Sequence, residues 1–232
     1  ARGVILDYDG TLCDRRRRFD PLGKDMTDAL VAVVETGALI GVATGRGQSA
    51  GVELERIVPR RSWDRVLIGY YNGAVIEPLG RRPPKIDEVN AMATQVGERL
   101  ADWFPQARVE VREWQVSADG FRHGRLPVIA HTAARLLAGE GLPSYVVCSS
   151  HSIDVLLTDQ RKGAVVDALR RLAGDPAARF FRIGDRGTWP GNDFDLLADP
   201  LGLSVDEVSR SPSACWNLAP PGALGPPATM YY

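Results

Sequence analysis

The stretch that decides the fold reads VILDYDGT and runs from Val4 to Thr11. Its apolar start is typical of a strand buried on both faces of a parallel sheet, and a Gly-Thr turn follows two carboxylates. Residues two apart on an extended strand point the same way, so Asp7 and Asp9 can both reach one bound group. The spacing suits a nucleophile paired with an acid or base. The alternative is an ordinary strand that ends in a polar loop.

The charge balance, the cysteines and the apolar runs of the sequence limit the classes of protein to which the chain can belong. The 232 residues carry 28 Lys and Arg against 29 Asp and Glu, so no global field favours nucleic acid or a membrane. Three distant cysteines, Cys13, Cys148 and Cys215, lack metal-ligand spacing and favour a reducing compartment, for which we expect the cytoplasm. No signal peptide or long apolar run is present, and the first residue is not Met, which fits a trimmed chain or one domain of a longer protein. The oligomeric state stays open.

Strand and helix patterns alternate over the first third of the chain. Apolar residues at helical spacing predict helices within residues 22–37 and 48–58, and apolar runs predict strands at 38–43 and 66–68. This alternation calls for right-handed crossovers. The sequence therefore predicts an α/β fold with a doubly wound parallel sheet.

Thr44-Gly45-Arg46 follows the second of these strands. A small hydroxyl at the C-terminal end of a strand, directly before a helix, is well placed to bind phosphate. An ordinary turn between strand and helix is the alternative.

The pattern changes at a linker rich in Pro and Gly, residues 78–84. Beyond it the sequence predicts a helix at 87–103, one half-exposed strand at 108–117, a helix at 127–138, and a strand pair at 145–148 and 153–157. We therefore expect an inserted α+β domain at residues 80–158 and a core formed by residues 1–79 and 159–232.

The α/β pattern resumes at Arg161-Lys162-Gly163-Ala164. Two cations in a first helical turn oppose the helix dipole, and such broken rules often mark a site. Lys162 could neutralise a phosphate, although a surface lysine is the alternative. A strand ending at Asp185 and a loop ending at Asp193 add carboxylates, and with Asp7 these offer the oxygen ligands that Mg²⁺ prefers. We assign no function to the tail from about residue 201.

Four segments resemble, in order, the motifs of the haloacid dehalogenase (HAD) superfamily. They are DYDGT at 7–11, TGR at 44–46, RKGA at 161–164, and GD at 184–185 with GND at 191–193. The Asn72-Gly73-Ala74 turn resembles subgroup IIB, whose cap domain lies between the second and third motifs. The spacing agrees, because about 118 residues separate Thr44 from Lys162. Sucrose-phosphate and trehalose-phosphate phosphatases and phosphomannomutases belong to this subgroup.

The resemblance implies a role for each motif residue. Asp7 would be the nucleophile that forms an aspartyl-phosphate, and Asp9 would protonate the leaving alcohol and then activate water. The residues implied around the phosphoryl group are Gly10, Thr11, Thr44, Gly45, Arg46 and Lys162, with Asn72 at the substrate. The implied ligands of Mg²⁺ are Asp7, the backbone carbonyl of Asp9, Asp185 and Asp193.

One departure from the family pattern concerns the metal. Relatives typically carry a GDSGND-like run, whereas five residues, 186–190, separate Asp185 from Gly191 in this chain. Asp195 is therefore the alternative to Asp193.

The second carboxylate of DYDGT bears on the reaction. Family ATPases usually carry Thr at the position of Asp9, and the dehalogenases lack this Asp. The resemblance thus implies hydrolysis of a small phosphate ester, a sugar phosphate or similar metabolite. A phosphomutase and a non-catalytic phosphate-binding domain are the alternatives. Residues of the inserted domain that could face the substrate, without ranking, are Arg112, Trp114, Arg122, His123 and His151.

Overall fold

The first apolar run forms β1, which lies inside a six-stranded sheet of strand order β10-β9-β1-β2-β3-β4. The computed structural model describes residues 1–85, 89–121 and 125–232. In chain order the strands and α-helices are β1 (Gly3–Asp7), α1 (Lys24–Glu35), β2 (Leu39–Ala43), α2 (Ser49–Ile57), β3 (Val66–Tyr70), β4 (Val75–Pro78), α3 (Ala91–Trp103), β5 (Arg108–Val111), β6 (Gln115–Asp119), α4 (Leu126–Gly139), β7 (Val146–Cys148), β8 (Ser152–Leu156), α5 (Ala164–Ala173), β9 (Phe180–Arg186), α6 (Phe194–Leu197), β10 (Gly202–Glu207) and α7 (Pro226–Tyr231).

The six-stranded sheet is covered on both faces. Consecutive residues of β1 point to opposite sides, so Leu6 packs in one apolar cluster with residues of α1 and α2, while Ile5 packs in another with residues of α5. In this sheet the described strand pairs are parallel except β3 with β4. A short turn joins these two strands, and such a turn can connect only antiparallel neighbours. The predicted α/β fold with a doubly wound, mostly parallel sheet is confirmed.

The chain divides into two units. The first comprises Ala1–Pro83, Gln160–Thr188 and Asp193–Tyr232, and the second comprises Pro84–Asp159 and Trp189–Asn192. The second unit is an antiparallel sheet of order β5-β6-β8-β7 packed against α3 and α4. Its apolar core includes Leu100, Val116, Leu137 and Val155. Among the described residues, no helix is long and apolar enough to cross a bilayer.

The prediction of one strand at residues 108–117 is wrong, because two strands, β5 and β6, pair as a hairpin there. The reason is visible in the spacing of apolar residues. Val111 and Val116 are five apart, an odd number, so one continuous strand would place them on opposite faces. The N–H of Arg112 donates to the carbonyl of Gln115 across the turn. The helix predicted from Asp87 begins at Ala91 in the structure, and Asp87 itself lies outside the described residues.

Residues 189–192, between β9 and α6, extend the second sheet. The N–H of Cys148 donates to the carbonyl of Pro190 (2.8 Å), and the N–H of Asn192 donates to the carbonyl of Cys148 (3.0 Å). The ring of Trp189 meets that of Tyr145 edge to face. Trp189 and Pro190 lie within the departure from the family pattern at residues 186–190, so part of that insertion serves as an added edge of the second sheet.

The Pro- and Gly-rich tail contains one more core strand, which the sequence analysis did not predict. β10 pairs with β9, and on its other side Trp216 exchanges backbone hydrogen bonds with Gly202 and Ser204. The hydroxyl of Tyr232 donates to the carbonyl of Ser204 (2.9 Å). The tail therefore covers the edge of the sheet, which would otherwise present unpaired backbone groups.

Candidate active site

The motif residues meet at the carboxyl ends of the parallel strands. Asp7 is the last residue of β1 and pairs in register with Ala43, the last residue of β2. Thr44 is the next residue after Ala43, so it lies at the same edge of the sheet as Asp7. On the other side Leu6 pairs with Ile183 of β9, which brings Asp185 to the same edge. Ligands of open α/β sheets bind at this edge.

Lys162 is the centre of the charged cluster. Its Nζ lies 2.5 Å from Oδ1 of Asp7 and 2.7 Å from Oδ1 of Asp193, and its side chain is fully buried. Burial alone would lower the pKa of Lys162, but the charges of Asp193 and Asp7 outweigh burial and raise that pKa above its ordinary value. The ammonium therefore stays charged and holds two carboxylates together. A surface position for Lys162, the alternative left open by the sequence, is excluded.

Asp193 is satisfied by protein donors. Besides the ammonium on Oδ1, its Oδ2 accepts the backbone N–H groups of Asp185 and Arg186, each at 3.0 Å. A Cβ at Gly184 would come within 2.7 Å of the carboxyl carbon of Asp193, so this approach needs a glycine. Asp193 thus positions both Lys162 and the end of β9.

Three buried carboxylates fit a divalent cation. Asp7, Asp185 and Asp193 each offer an oxygen, and these oxygens lie within 4.8 Å of one another. The Lys162 ammonium and the Arg186 guanidinium, whose Nε lies 3.9 Å from Oδ2 of Asp185, balance only two of the three charges. Oδ2 of Asp185 is buried and accepts no hydrogen bond in the described part of the chain. Such an oxygen-rich, under-neutralised cluster suits Mg²⁺. Asp195, in the first turn of α6, does not belong to this group of described residues.

Burial and neighbouring carboxylates raise the pKa values of Asp7 and Asp185 in the cluster. Burial, and then the charge of Asp193, raise the pKa of Asp7 to about 7, although Lys162 acts against this shift. Burial, followed by the charges of Asp7 and Asp193, raises the pKa of Asp185 well above its usual range. A bound cation would favour the ionised forms, so metal binding and proton release are linked.

We expect Mg²⁺ to raise the melting temperature of the protein, and more at about pH 8 than at about pH 6, because protons compete for the same carboxylates. Saturation to 100 times Kd adds about 2.7 kcal/mol to the free energy of unfolding. Asp185→Asn should lose most of this shift, whereas the control Asp195→Asn should keep it. Differential scanning fluorimetry with and without Mg²⁺ measures both, and an equal shift in wild type and Asp185→Asn would refute this ligand set.

The Gly-Thr turn after the two carboxylates is built around Asp7 and Asp185. The Thr11 hydroxyl donates to Oδ2 of Asp7 (3.2 Å), and the Thr229 hydroxyl donates to the carbonyl of Thr11 (2.8 Å). Gly10 has φ +88°, and a Cβ there would lie 2.2 Å from Oδ2 of Asp185. Only glycine allows this approach.

The Asn72-Gly73-Ala74 turn contacts two other motifs. The buried Asn72 has φ +57°, and its N–H donates to the carbonyl of Thr44 (2.8 Å). A Cβ at Gly73 would lie 2.3 Å from the carbonyl oxygen of Arg161, next to Lys162. The turn therefore holds the segments before and after it in place, and contact of Asn72 with substrate stays a prediction.

The TGR segment gives an arrangement that sequence reasoning missed. The Thr44 hydroxyl accepts the N–H of Arg46 (3.0 Å), and Gly45 lies between them. The Arg46 guanidinium binds both oxygens of Asp9, with Nε 2.8 Å from Oδ2 and Nη2 2.6 Å from Oδ1. No local spacing signals a pair formed across 37 residues. The phosphate-binding roles of Thr44, Gly45 and Arg46 stay predictions.

No protein-family model and no curated protein sequence matches this chain. Among solved structures it is similar to a HAD-like hydrolase from Bacteroides thetaiotaomicron (14% identity, TM-score 0.61, 89% of each chain covered). It also matches the C. albicans trehalose-6-phosphate phosphatase C-terminal domain (16%, 0.61, 98% of this chain and 88% of that one). A third match is Plasmodium falciparum IMP-nucleotidase (12%, 0.64, 89% and 67%). The chain therefore has the fold of the haloacid dehalogenase-like hydrolases.

Proposed function

We propose that this protein is a magnesium-dependent phosphomonoester hydrolase that works through an aspartyl-phosphate on Asp7. The observation that carries the proposal is a buried carboxylate at the end of the central strand, held 2.5 Å from Lys162 beside an oxygen of Asp185 that accepts no hydrogen bond from the described residues. The four ordered HAD-like motifs and the phosphatases among the structural neighbours support it.

The chemistry follows in two displacements. An oxygen of Asp7 attacks phosphorus, the bond from phosphorus to the ester oxygen breaks, and the leaving oxygen takes a proton from Asp9. Water then attacks phosphorus and gives its proton to Asp9, while the bond from phosphorus to the Asp7 oxygen breaks. Inorganic phosphate leaves, and both carboxyl groups return to their starting forms.

Charge stabilisation comes from groups already in place. Lys162 holds Asp7 and is near enough to meet the equatorial oxygens of a phosphoryl group bonded to it. Asp7, Asp185 and Asp193 would hold Mg²⁺ by side-chain oxygens. The carbonyl of Asp9 is the further ligand that the family resemblance implies. When bound, the cation neutralises the negative charge of the phosphoryl group.

The substrate we propose is a small phosphate ester, a sugar phosphate or a similar metabolite. Two neighbours are a trehalose-6-phosphate phosphatase and an IMP-nucleotidase, so nucleotides belong in the panel of substrates to be tested.

The three cysteines are free, which supports a reducing compartment such as the cytoplasm.

Phosphate release by the purified protein tests the proposal. We expect turnover with Mg²⁺ and none with EDTA, over a panel of sugar phosphates, nucleotides and polyol phosphates. A phosphomutase would instead isomerise a hexose phosphate with little phosphate release, and a binding domain would release none from any ester. Either result would overturn the proposed hydrolase.

We further propose that the second unit is a cap that selects the substrate, since every predicted catalytic, phosphate-binding and metal-binding residue lies in the first unit. Replacing residues 84–159 with a short Gly/Ser linker should leave slow hydrolysis of p-nitrophenyl phosphate and remove the preference among natural esters. Circular dichroism must first show that the variant is folded. A folded variant that keeps the wild-type ranking of substrates would contradict the cap role.

A further inference from the structure

The guanidinium of Arg46 donates hydrogen bonds from Nε and Nη2 to Asp9 and to the loop beside it. Nε and Nη2 each bind one oxygen of the Asp9 carboxylate, at 2.8 and 2.6 Å. Its other acceptors in the described part of the chain are the carbonyl of Arg18 and, at 3.8 Å, the sulfur of Cys13. None of these bonds reaches Asp7 or Lys162.

Packing fixes the position of this guanidinium. Its carbon lies 4.5 Å from the centre of the buried Tyr8 ring, and the side chains of Arg46 and Asp9 are each only 16% exposed. The backbone of Arg46 is held as well, because its carbonyl accepts the N–H of Tyr71 (3.1 Å). A bidentate pair between a guanidinium and a carboxylate fixes the carboxylate plane as well as its position.

We propose that Arg46 is a positioning residue that holds the Asp9 carboxylate for proton transfer, and is not a ligand of the transferred phosphoryl group. The inference rests on the proposed hydrolase function. The carboxylate has about four lone-pair sites, so two guanidinium bonds leave room for the proton that Asp9 gives and takes. Arg46 thereby restricts the Asp9 carboxylate to one orientation. General acid catalysis requires such a fixed position, because the proton must be in reach of the leaving oxygen.

The two roles predict different kinetics. A ligand of the phosphoryl group contacts every substrate alike, so its loss weakens binding of inorganic phosphate and slows all esters together. In the first displacement, a residue that orients the general acid matters only where the leaving group needs a proton. The second displacement, in which Asp9 takes a proton from water, is common to all esters, so the comparison uses kcat/KM, which reports the steps up to phosphoryl transfer. Benzyl phosphate releases an alcohol that must be protonated, whereas p-nitrophenyl phosphate releases a stable phenolate.

The experiment compares wild type, Arg46→Ala, Arg46→Lys, Asp9→Asn and the double variant Asp9→Asn/Arg46→Ala on these two esters with Mg²⁺. For Arg46→Ala we expect kcat/KM to fall about 100-fold on benzyl phosphate, the lower end of the range of general acid catalysis, and less than about tenfold on p-nitrophenyl phosphate. Arg46→Lys should recover part of the loss. The double variant should be no more than about threefold slower than Asp9→Asn alone, because residues acting as a unit are not additive.

Two controls separate this role from a general loss of structure. Arg82→Ala breaks another bidentate pair, with Glu55 at 2.5 and 2.6 Å, and should change neither kcat nor the ratio of the two esters. Binding of inorganic phosphate, measured by calorimetry with Mg²⁺, should change less than about threefold in Arg46→Ala if the residue only positions Asp9.

Equal losses of kcat/KM on both esters, or phosphate binding weakened more than about tenfold, would overturn the proposal and make Arg46 a phosphate ligand. If wild type hydrolyses neither these esters nor any other, the proposed function fails, and this inference fails with it. If wild type is active and Arg46→Ala keeps full activity on benzyl phosphate, only the role of Arg46 is refuted.

Discussion

Asp7→Asn is expected to abolish turnover while the protein stays folded. The substitution keeps the shape of the side chain and removes the nucleophilic oxygen, so only positioning and electrostatic effects remain. For catalytic groups that act as a unit, such a loss reaches about 10⁴-fold or more in kcat. Phosphate release measures it, with Asp167→Asn, an exposed carboxylate paired to Arg170, as the control that should stay active. More than about a tenth of wild-type activity in Asp7→Asn would exclude covalent catalysis by Asp7.

The same variant should gain stability, relative to wild type, as the pH rises. The unfolded chain releases the Asp7 proton near the ordinary value of 3.8, and the folded protein releases it near 7, because burial and Asp193 raise the pKa. The folded state therefore binds more protons in this window, and wild-type stability falls as the pH rises through it. Asn carries no such cost. Thermal melts of both proteins at about pH 5 and about pH 8 check the sign. If the melting temperature of wild type rose relative to that of Asp7→Asn between these pH values, the prediction would be contradicted.

Lys162→Met is the second change with a large expected effect. It leaves Asp7 and Asp193 buried without their shared cation, and breaking a buried ion pair in this way costs about 3–5 kcal/mol. We expect loss of turnover together with a lower melting temperature. Lys24→Met removes an exposed lysine that pairs with Asp28 on the surface, and this control should leave the melting temperature nearly unchanged.

The destabilisation of Lys162→Met should be larger at about pH 8 than at about pH 6. Without the ammonium, which lowers the pKa of Asp7, the folded pKa of that carboxyl rises further. The window in which the folded state holds extra protons then extends to higher pH, and stability falls across it. Chemical denaturation at both pH values is the measurement. A pH-independent cost would show that lost packing, and not charge, explains the effect.

The sequence predicts the position of the candidate site, at the carboxyl edge of the six-stranded sheet, because the patterns that indicate it are local. An apolar strand followed by polar residues places those residues at the carboxyl edge of a parallel sheet, and this applies to Asp7, Thr44 and Asp185 alike. The two cations Arg161 and Lys162 at the start of a predicted helix also pointed to a site, since cations there break a local rule. In the structure α5 begins at Ala164, shortly after them.

The remaining features depend on contacts between distant segments. The pairing of Arg46 with Asp9 spans 37 residues, and β10 is recognisable only by its place beside β9. Residues 189–192 carry no strand pattern and gain their structure from the edge of β7. Such features arise from the fold as a whole, and local periodicity does not report them.

The most direct test of the central claim is to trap phosphate on the protein. Wild type is mixed with Mg²⁺ and ³²P-labelled p-nitrophenyl phosphate, quenched in acid during turnover, and digested for peptide mapping. We predict a base-labile label on the peptide that contains Asp7, and no label in Asp7→Asn. Hydrolysis at the normal rate without any labelled peptide, or a label on a peptide that lacks Asp7, would contradict the account.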